Sequence, residues 1–350
     1  MKESLQMHKN PLNVFSSRRR LTLQAPVSRI QHDLRNARRK DHRGAWLAAL
    51  ALGVSSLFIL RRAREAERAN PPRGNFVEID GIKLHYRERG QGQPLVLLHG
   101  NGTMLQDFEI SGLPALAASR YRVIIFDRPG FGHSDRPRGT IWNPRAQAEL
   151  LQKAFDRLGI VRPVVVGHSW GTQVALALAL DHAESVRSLV LLSGYFFPTF
   201  RLDVFLLSPP AIPVIGDIMR YTVSPWIGRL IWPLILKRVF GPSKMPARFG
   251  AFPVWMALRP SQLRAGAAET ALMIPDAMTL QKRYAELKMP VFIMAGADDR
   301  MVKTQHQSAR LHDVLPHSEL RVVPGIGHMI HHLVPDQVME MIDAAGVAAP

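Results

Sequence analysis

Val164-Val165-Val166-Gly167-His168-Ser169-Trp170-Gly171, followed by the run from Thr172 to Leu180, decides the fold. Three consecutive β-branched residues predict a buried strand, and the run after Gly171 predicts a helix, so Ser169 stands at a strand-to-helix turn. A turn this sharp holds its central residue in a strained conformation. Side chains two places before and two after would strike the neighbouring strand and helix, and both places hold glycine. The hydroxyl is then presented at a helix N-terminus, where free N–H groups and the dipole favour developing negative charge. The plainer reading is that Ser169 only caps the helix; partners further along the chain weigh against it. Gly132-His133-Ser134 begins the same way, but Arg136 fills the fifth place and no helical pattern follows.

A serine nucleophile needs a base to take its proton and a carboxylate to orient that base. Pro290 to Ala295 reads as a buried strand that runs straight into Gly296-Ala297-Asp298-Asp299, which puts two carboxylates at a strand's C-terminal end. Leu320 to Val323 reads as another strand, followed by Pro324-Gly325-Ile326-Gly327-His328. The flanking glycines let that loop bring His328 over Ser169. His331 and His332 compete for the same role but fall where a helix should begin.

These segments resemble the α/β-hydrolase superfamily over roughly Phe76 to Val347. The likeness includes His99-Gly100-Asn101-Gly102 after the third strand and Asp127-Arg128-Pro129-Gly130-Phe131-Gly132 after the fourth. The order serine, aspartate, histidine is the one this resemblance implies and differs from the chymotrypsin and subtilisin orders. In relatives the acid stands three residues after the strand-ending glycine, which implies Asp299 rather than Asp298. An oxyanion hole is implied between the amide of Trp170, which follows the nucleophile, and that of Asn101, which follows His-Gly. The Asn101 side chain would then be free to meet substrate, and His99 would prop the loop.

Epoxide hydrolases and haloalkane dehalogenases are similar in the 127–132 turn but carry aspartate at the nucleophile place. An alkyl-enzyme ester needs a carboxylate nucleophile, and Ser169 cannot form one. Acyl transfer remains: esters, amides, thioesters and certain carbon–carbon bonds beside a carbonyl. The Ser-Trp-Gly elbow resembles proline iminopeptidases, while His168 and the Asn101 loop fit small esterases and serine haloperoxidase-like perhydrolases equally. The expected activity is a carboxylic ester hydrolase taking a small apolar acyl substrate through an acyl-enzyme on Ser169. An aminopeptidase, with Glu269 or Glu286 holding the substrate amine, a C–C bond hydrolase and a ligand-binding protein without turnover are the alternatives.

The chain of 350 residues has no cysteine, which removes thiol nucleophiles and disulfides. Fourteen histidines show no H-E-x-x-H or similar ligand spacing, and no glycine-rich dinucleotide signature appears, so neither metal nor cofactor is expected. The formal charge of +17 is uneven: residues 1–73 carry 16 Lys+Arg against 5 Asp+Glu, and residues 194–288 carry 12 against 5. An excess confined to an arm and an apolar insertion points to a membrane surface or apolar substrate, not to nucleic acid.

A basic arm over 1–43 precedes an uncharged stretch over 44–60, which ends against Arg61-Arg62. Seventeen helical residues reach about 26 Å, enough to cross a bilayer with arginines snorkelling. A retained single-pass membrane anchor is expected there, with a linker over 61–75. The larger basic excess before the stretch favours a cytoplasmic N-terminus, and Arg61, Arg62 and Arg64 leave the orientation open. The expected class is α/β: a mostly parallel eight-stranded sheet with helices on both faces, built from 76–193 and 289–347. Residues 194–288 lack a strand pattern and read as a helical cap broken by Pro209, Pro210, Pro213, Pro225 and Pro233, with Trp226, Ile231, Trp232, Leu234 and Ile235 supplying apolar surface.

Overall fold

Strands written as unbroken apolar runs are buried on both faces, and the computed structural model, which describes residues 27–348, bears this out. The strands are β1 (Asn75–Ile79), β2 (Ile82–Arg89), β3 (Gln93–Leu98), β4 (Tyr121–Phe126), β5 (Val164–His168), β6 (Ser188–Leu192), β7 (Val291–Gly296) and β8 (Glu319–Val323). They form one eight-stranded sheet in the order β1-β2-β4-β3-β5-β6-β7-β8. β1 pairs antiparallel with β2, and β2 with β4; every later pairing is parallel. The β1–β2 hairpin closes on Asp80 and Gly81, both at positive φ, which is the turn a two-residue hairpin requires.

N-terminal to the sheet is α1 (Val27–Ala69). Helices α2 (Leu105–Ser111) and α3 (Leu113–Ala117) follow β3, α4 (Pro144–Leu158) follows β4, and α5 (Gly171–Asp181) follows β5. Between β6 and β7 lie α6 (Leu202–Leu207), α7 (Ile215–Thr222), α8 (Ser224–Phe240), α9 (Val254–Ala257) and α10 (Pro260–Leu280). After β7 come α11 (Ser308–Val314), α12 (Ile330–Leu333) and α13 (Pro335–Val347). Successive residues of β5 face opposite layers. Val165 packs with Leu151, Phe155 and Val174 of α4 and α5 on one side, and Val164 and Val166 pack with Phe108 and Ile342 of α2 and α13 on the other.

The 194–288 insertion is helical, as its proline and apolar content predicts, with one difference. Pro233 does not break α8, which runs 17 residues through it. The carbonyl that loses its donor there belongs to exposed Arg229, where water can take its place. A second difference concerns the N-terminal segment: α1 continues unbroken past residue 60 to Ala69, so the linker expected over 61–75 begins as helix. The first 26 residues of the basic arm, with Arg18-Arg19-Arg20, lie outside the described residues.

Sheet order positions the site. β4 and β5 leave β3 on opposite sides, and the crevice at the carboxyl ends of β3 and β5 is where such a reversal places ligands. Leu98 pairs with Gly167, so the loop after β3 and the turn after β5 start side by side.

Candidate active site

Ser169 has φ 53, a left-handed conformation rare for a non-glycine residue. Its neighbours explain why glycines flank it. A Cβ on Gly167 would lie 2.7 Å from Gly171 O and from Thr172 Cα, and one on Gly171 would run into Leu98 O. The strain is held by the sheet: Ser169 N donates to Leu192 O at 2.9 Å, and Thr172 N donates back to Ser169 O at 3.1 Å.

Three distant segments meet at this turn. Ser169 Oγ lies 2.9 Å from His328 Nε2, and His328 Nδ1 lies 2.7 Å from Asp299 Oδ2. A carboxylate only accepts, so Nδ1 carries the hydrogen and Nε2 is left to accept from the serine. The other Asp299 oxygen accepts from Met301 N at 2.7 Å and Val302 N at 2.9 Å, which fixes the carboxylate's orientation. Asp298 points elsewhere: it is exposed, and its Oδ2 accepts from Gly325 N at 2.9 Å. Of the two carboxylates the structure therefore brings Asp299 to the histidine and uses Asp298 to brace the loop.

That loop is also held from the cap. His328 N donates to Val239 O of α8 at 2.9 Å. A Cβ on Gly327 would come within 2.4 Å of Gly241 O, the carbonyl just past the end of α8, so only glycine allows the approach.

The amides of Asn101 and Trp170 have no protein acceptor among the described residues and border the same cavity as Ser169. The Asn101 side chain is only partly free: its Oδ1 has no hydrogen-bond partner among the described residues, but its amide nitrogen is engaged. Its Nδ2 donates to Gly266 O at 3.0 Å and to Thr270 Oγ1 at 2.9 Å, both on α10. His99 props the loop as expected, with Nδ1 at 2.8 Å from Gly100 O and Nε2 accepting from Arg128 N at 3.1 Å. Complete burial, and then the nearby Arg128 charge, push this imidazole down to about 3, so it stays neutral.

Arg128 was not singled out by the sequence. Its guanidinium is fully buried, donates to His99 O, Gly100 O and Gln147 Oε1, and stacks 4.7 Å from the Trp170 ring. It also grips Glu269 of α10 with two bonds, at 2.5 and 3.0 Å. Arg136 approaches the same carboxylate at 3.9 Å, and burial pulls its guanidinium down to about 10. Glu269 is thus consumed by the interior, and Glu286 pairs with Arg283 at the surface. Neither of these two carboxylates is free to hold a substrate amine. Truncating Glu269 to alanine should cost about 3–5 kcal/mol of stability by leaving buried positive charge unpaired. The double change Arg128→Met with Glu269→Leu should recover most of it; urea unfolding of the three proteins checks both statements.

A cavity of about 360 Å³ opens from Ser169 into the cap. Ile231, Trp232 and Ile235 of α8 are among its lining, together with Ile227 of α8 and Leu206 and Leu207 of α6, which are also exposed to the outside. Arg201, a basic side chain on the wall, is already held by Asp203 at 2.5 and 3.0 Å. Trp226 and Leu234 instead face outward, at 43% and 67% exposure.

Known proteins match this architecture. Haloalkane dehalogenase 2 of Mycobacterium tuberculosis is 27% identical over 269 residues, 74% of this chain and 90% of the relative. The 2-hydroxymuconate semialdehyde hydrolase of a Pseudomonas species is 37% identical over 138 residues, 38% of this chain and 48% of the relative. Among solved structures, a bacterial membrane phospholipase A superposes with a TM-score of 0.60 at 22% identity, covering 89% of this chain and all of that one. The sequence model of the alpha/beta hydrolase fold matches residues 93–335. With that match across most of its length, the chain belongs to the α/β-hydrolase family and is related to hydrolases.

Proposed function

We propose that this protein is a serine hydrolase cleaving an ester of an apolar acyl chain, through an acyl-enzyme on Ser169. The observation that carries the reading is the hydrogen-bonded path from Ser169 through His328 to Asp299 at the mouth of an apolar cavity. The Ser169 oxygen attacks the carbonyl carbon as its proton passes to His328 Nε2, and Asp299 stabilises the imidazolium. The carbonyl oxygen takes up the negative charge between the Asn101 and Trp170 amides. His328 returns the proton to the departing alcohol, and water repeats the sequence to release the acid. Dehalogenation, suggested by the mycobacterial relative's name, does not fit a serine nucleophile.

A membrane setting supports an apolar substrate. The stretch His42–Ala69 is long and apolar enough to cross a bilayer, and Trp46, Leu47, Leu50 and Leu57 on it are exposed. Its last part packs on the cap: Ser55 Oγ donates to Thr222 O at 2.6 Å, and Phe58 stacks 4.8 Å from Trp226. Cap helices α6 to α8 expose Phe205, Leu206, Ile218, Leu230 and Leu234. We read the first helix as a single-pass anchor and this cap face as resting on lipid.

The semialdehyde hydrolase likeness favours a second reading, a C–C bond hydrolase on the same three residues. The cavity wall suits it less well, because Arg201 is neutralised by Asp203 and would not grip an acidic substrate. A chromogenic ester series of rising chain length decides between them. Each methylene buried in the cavity should raise kcat/KM roughly three- to fourfold until the space is full. A flat series, with turnover only on a vinylogous keto acid, would assign the second reading.

A further inference from the structure

Directly behind the reacting histidine lies a cluster that the hydrolytic reading does not use. Asp107 of α2, His168 at the end of β5 and His331 of α12 are each at least 98% buried. One ligand atom from each lies within 4.8 Å of the other two. Asp107 Oδ2, His168 Nδ1 and both ring nitrogens of His331 have no hydrogen-bond partner among the described residues. Buried polar atoms are normally paired, and here one atom from each of the three residues converges without a hydrogen bond; Asp107 Oδ2 and His331 Nε2 stand 3.4 Å apart, too far for a good one, so the cluster calls for an occupant. Among the described residues no lysine or arginine pairs with Asp107, which meets His331 Nε2 at 3.4 Å and His332 Nε2 at 2.8 Å.

We propose that Asp107, His168 and His331 together bind one divalent transition-metal ion of the zinc type. The donor set is one carboxylate oxygen with two imidazole nitrogens, which suits zinc, copper or nickel and not magnesium or calcium. Closing to coordination distance brings such donors to about 3.3 Å apart, so side-chain rotation of modest size assembles the site. His332 holds the second carboxylate oxygen and so orients the ligand, as outer partners of metal ligands do. Phe108 packs 4.9 Å from the His331 ring and keeps that side apolar. The positions of the three ligands say what the ion would do. Asp107 follows the loop that carries Asn101, His168 precedes Ser169, and His331 follows His328. One ion would therefore tie together the three loops that form the active site, in a structural role that takes no part in the reaction.

The test is metal content and thermal stability of the full-length protein, neither of which depends on hydrolysis. Elemental analysis after passage over a chelating resin should find about one zinc per chain, and zinc added back to stripped protein should raise Tm. Asp107→Asn and His331→Phe should each lower the retained zinc at least tenfold. If neither variant folds, cobalt-substituted wild type decides: intense visible bands of a tetrahedral nitrogen–oxygen site support the proposal, and the pale aqua-ion spectrum overturns it. Wild type that holds no zinc and gains no Tm from it, or a folded His331→Phe that retains zinc in full, also overturns it.

Discussion

A Ser169→Ala enzyme should lose about 10⁴- to 10⁶-fold in kcat/KM on its best ester and all labelling by fluorophosphonates. The loss should be in chemistry alone. Among the described residues the hydroxyl makes one side-chain hydrogen bond, to His328, and alanine accepts the φ of 53 at a similar cost. Unfolding free energy should therefore stay within about 0.5 kcal/mol of the parent. Removing His328 should cost about as much as removing the serine, and the double variant little more, because the two groups act as a unit. Undiminished labelling of Ser169→Ala would place the nucleophile elsewhere.

Asp299→Asn should lower kcat by about 10⁴, for a reason fixed by two backbone hydrogens. Asp299 Oδ1 accepts from Met301 N and Val302 N, so an amide at this place must keep its oxygen there. Its NH₂ group then faces His328 Nδ1, which has to become the acceptor. The hydrogen moves to Nε2, and the imidazole can no longer take the serine proton. The adjacent Asp298→Asn exchange is the control. It touches one exposed contact to Gly325 N, and turnover should stay within about threefold. Equal losses in the two variants would mean that the acid has been misassigned.

What could be read without coordinates was whatever the chain writes locally. The glycines around Ser169 mark a collision that any strand-to-helix turn imposes, and the apolar runs of β3 to β7 report burial on both faces. The choice of Asp299 over Asp298 followed from the family likeness, and the structure adds the reason: one carboxylate meets two amides and an imidazole, the other a loop amide. Contacts between the sheet and the cap left no such trace. Arg128 and Glu269 are 141 positions apart, and nothing local in either neighbourhood announces the pair. The same holds for Asp107, His168 and His331, whose spacing matches no ligand motif although their atoms converge. Pro233 shows a third kind of miss, since the cost of a proline inside a helix can be met where packing holds the helix and the orphaned carbonyl is open to water.

Because α8 accepts the backbone hydrogen of His328, and α10 holds Asn101 and Arg128, the roof of the cavity is fastened to the groups that would do the work beneath it. A hinge that lifted the whole roof would release the base and the oxyanion loop together. An opening that kept both in place would have to leave α8 and α10 where they are.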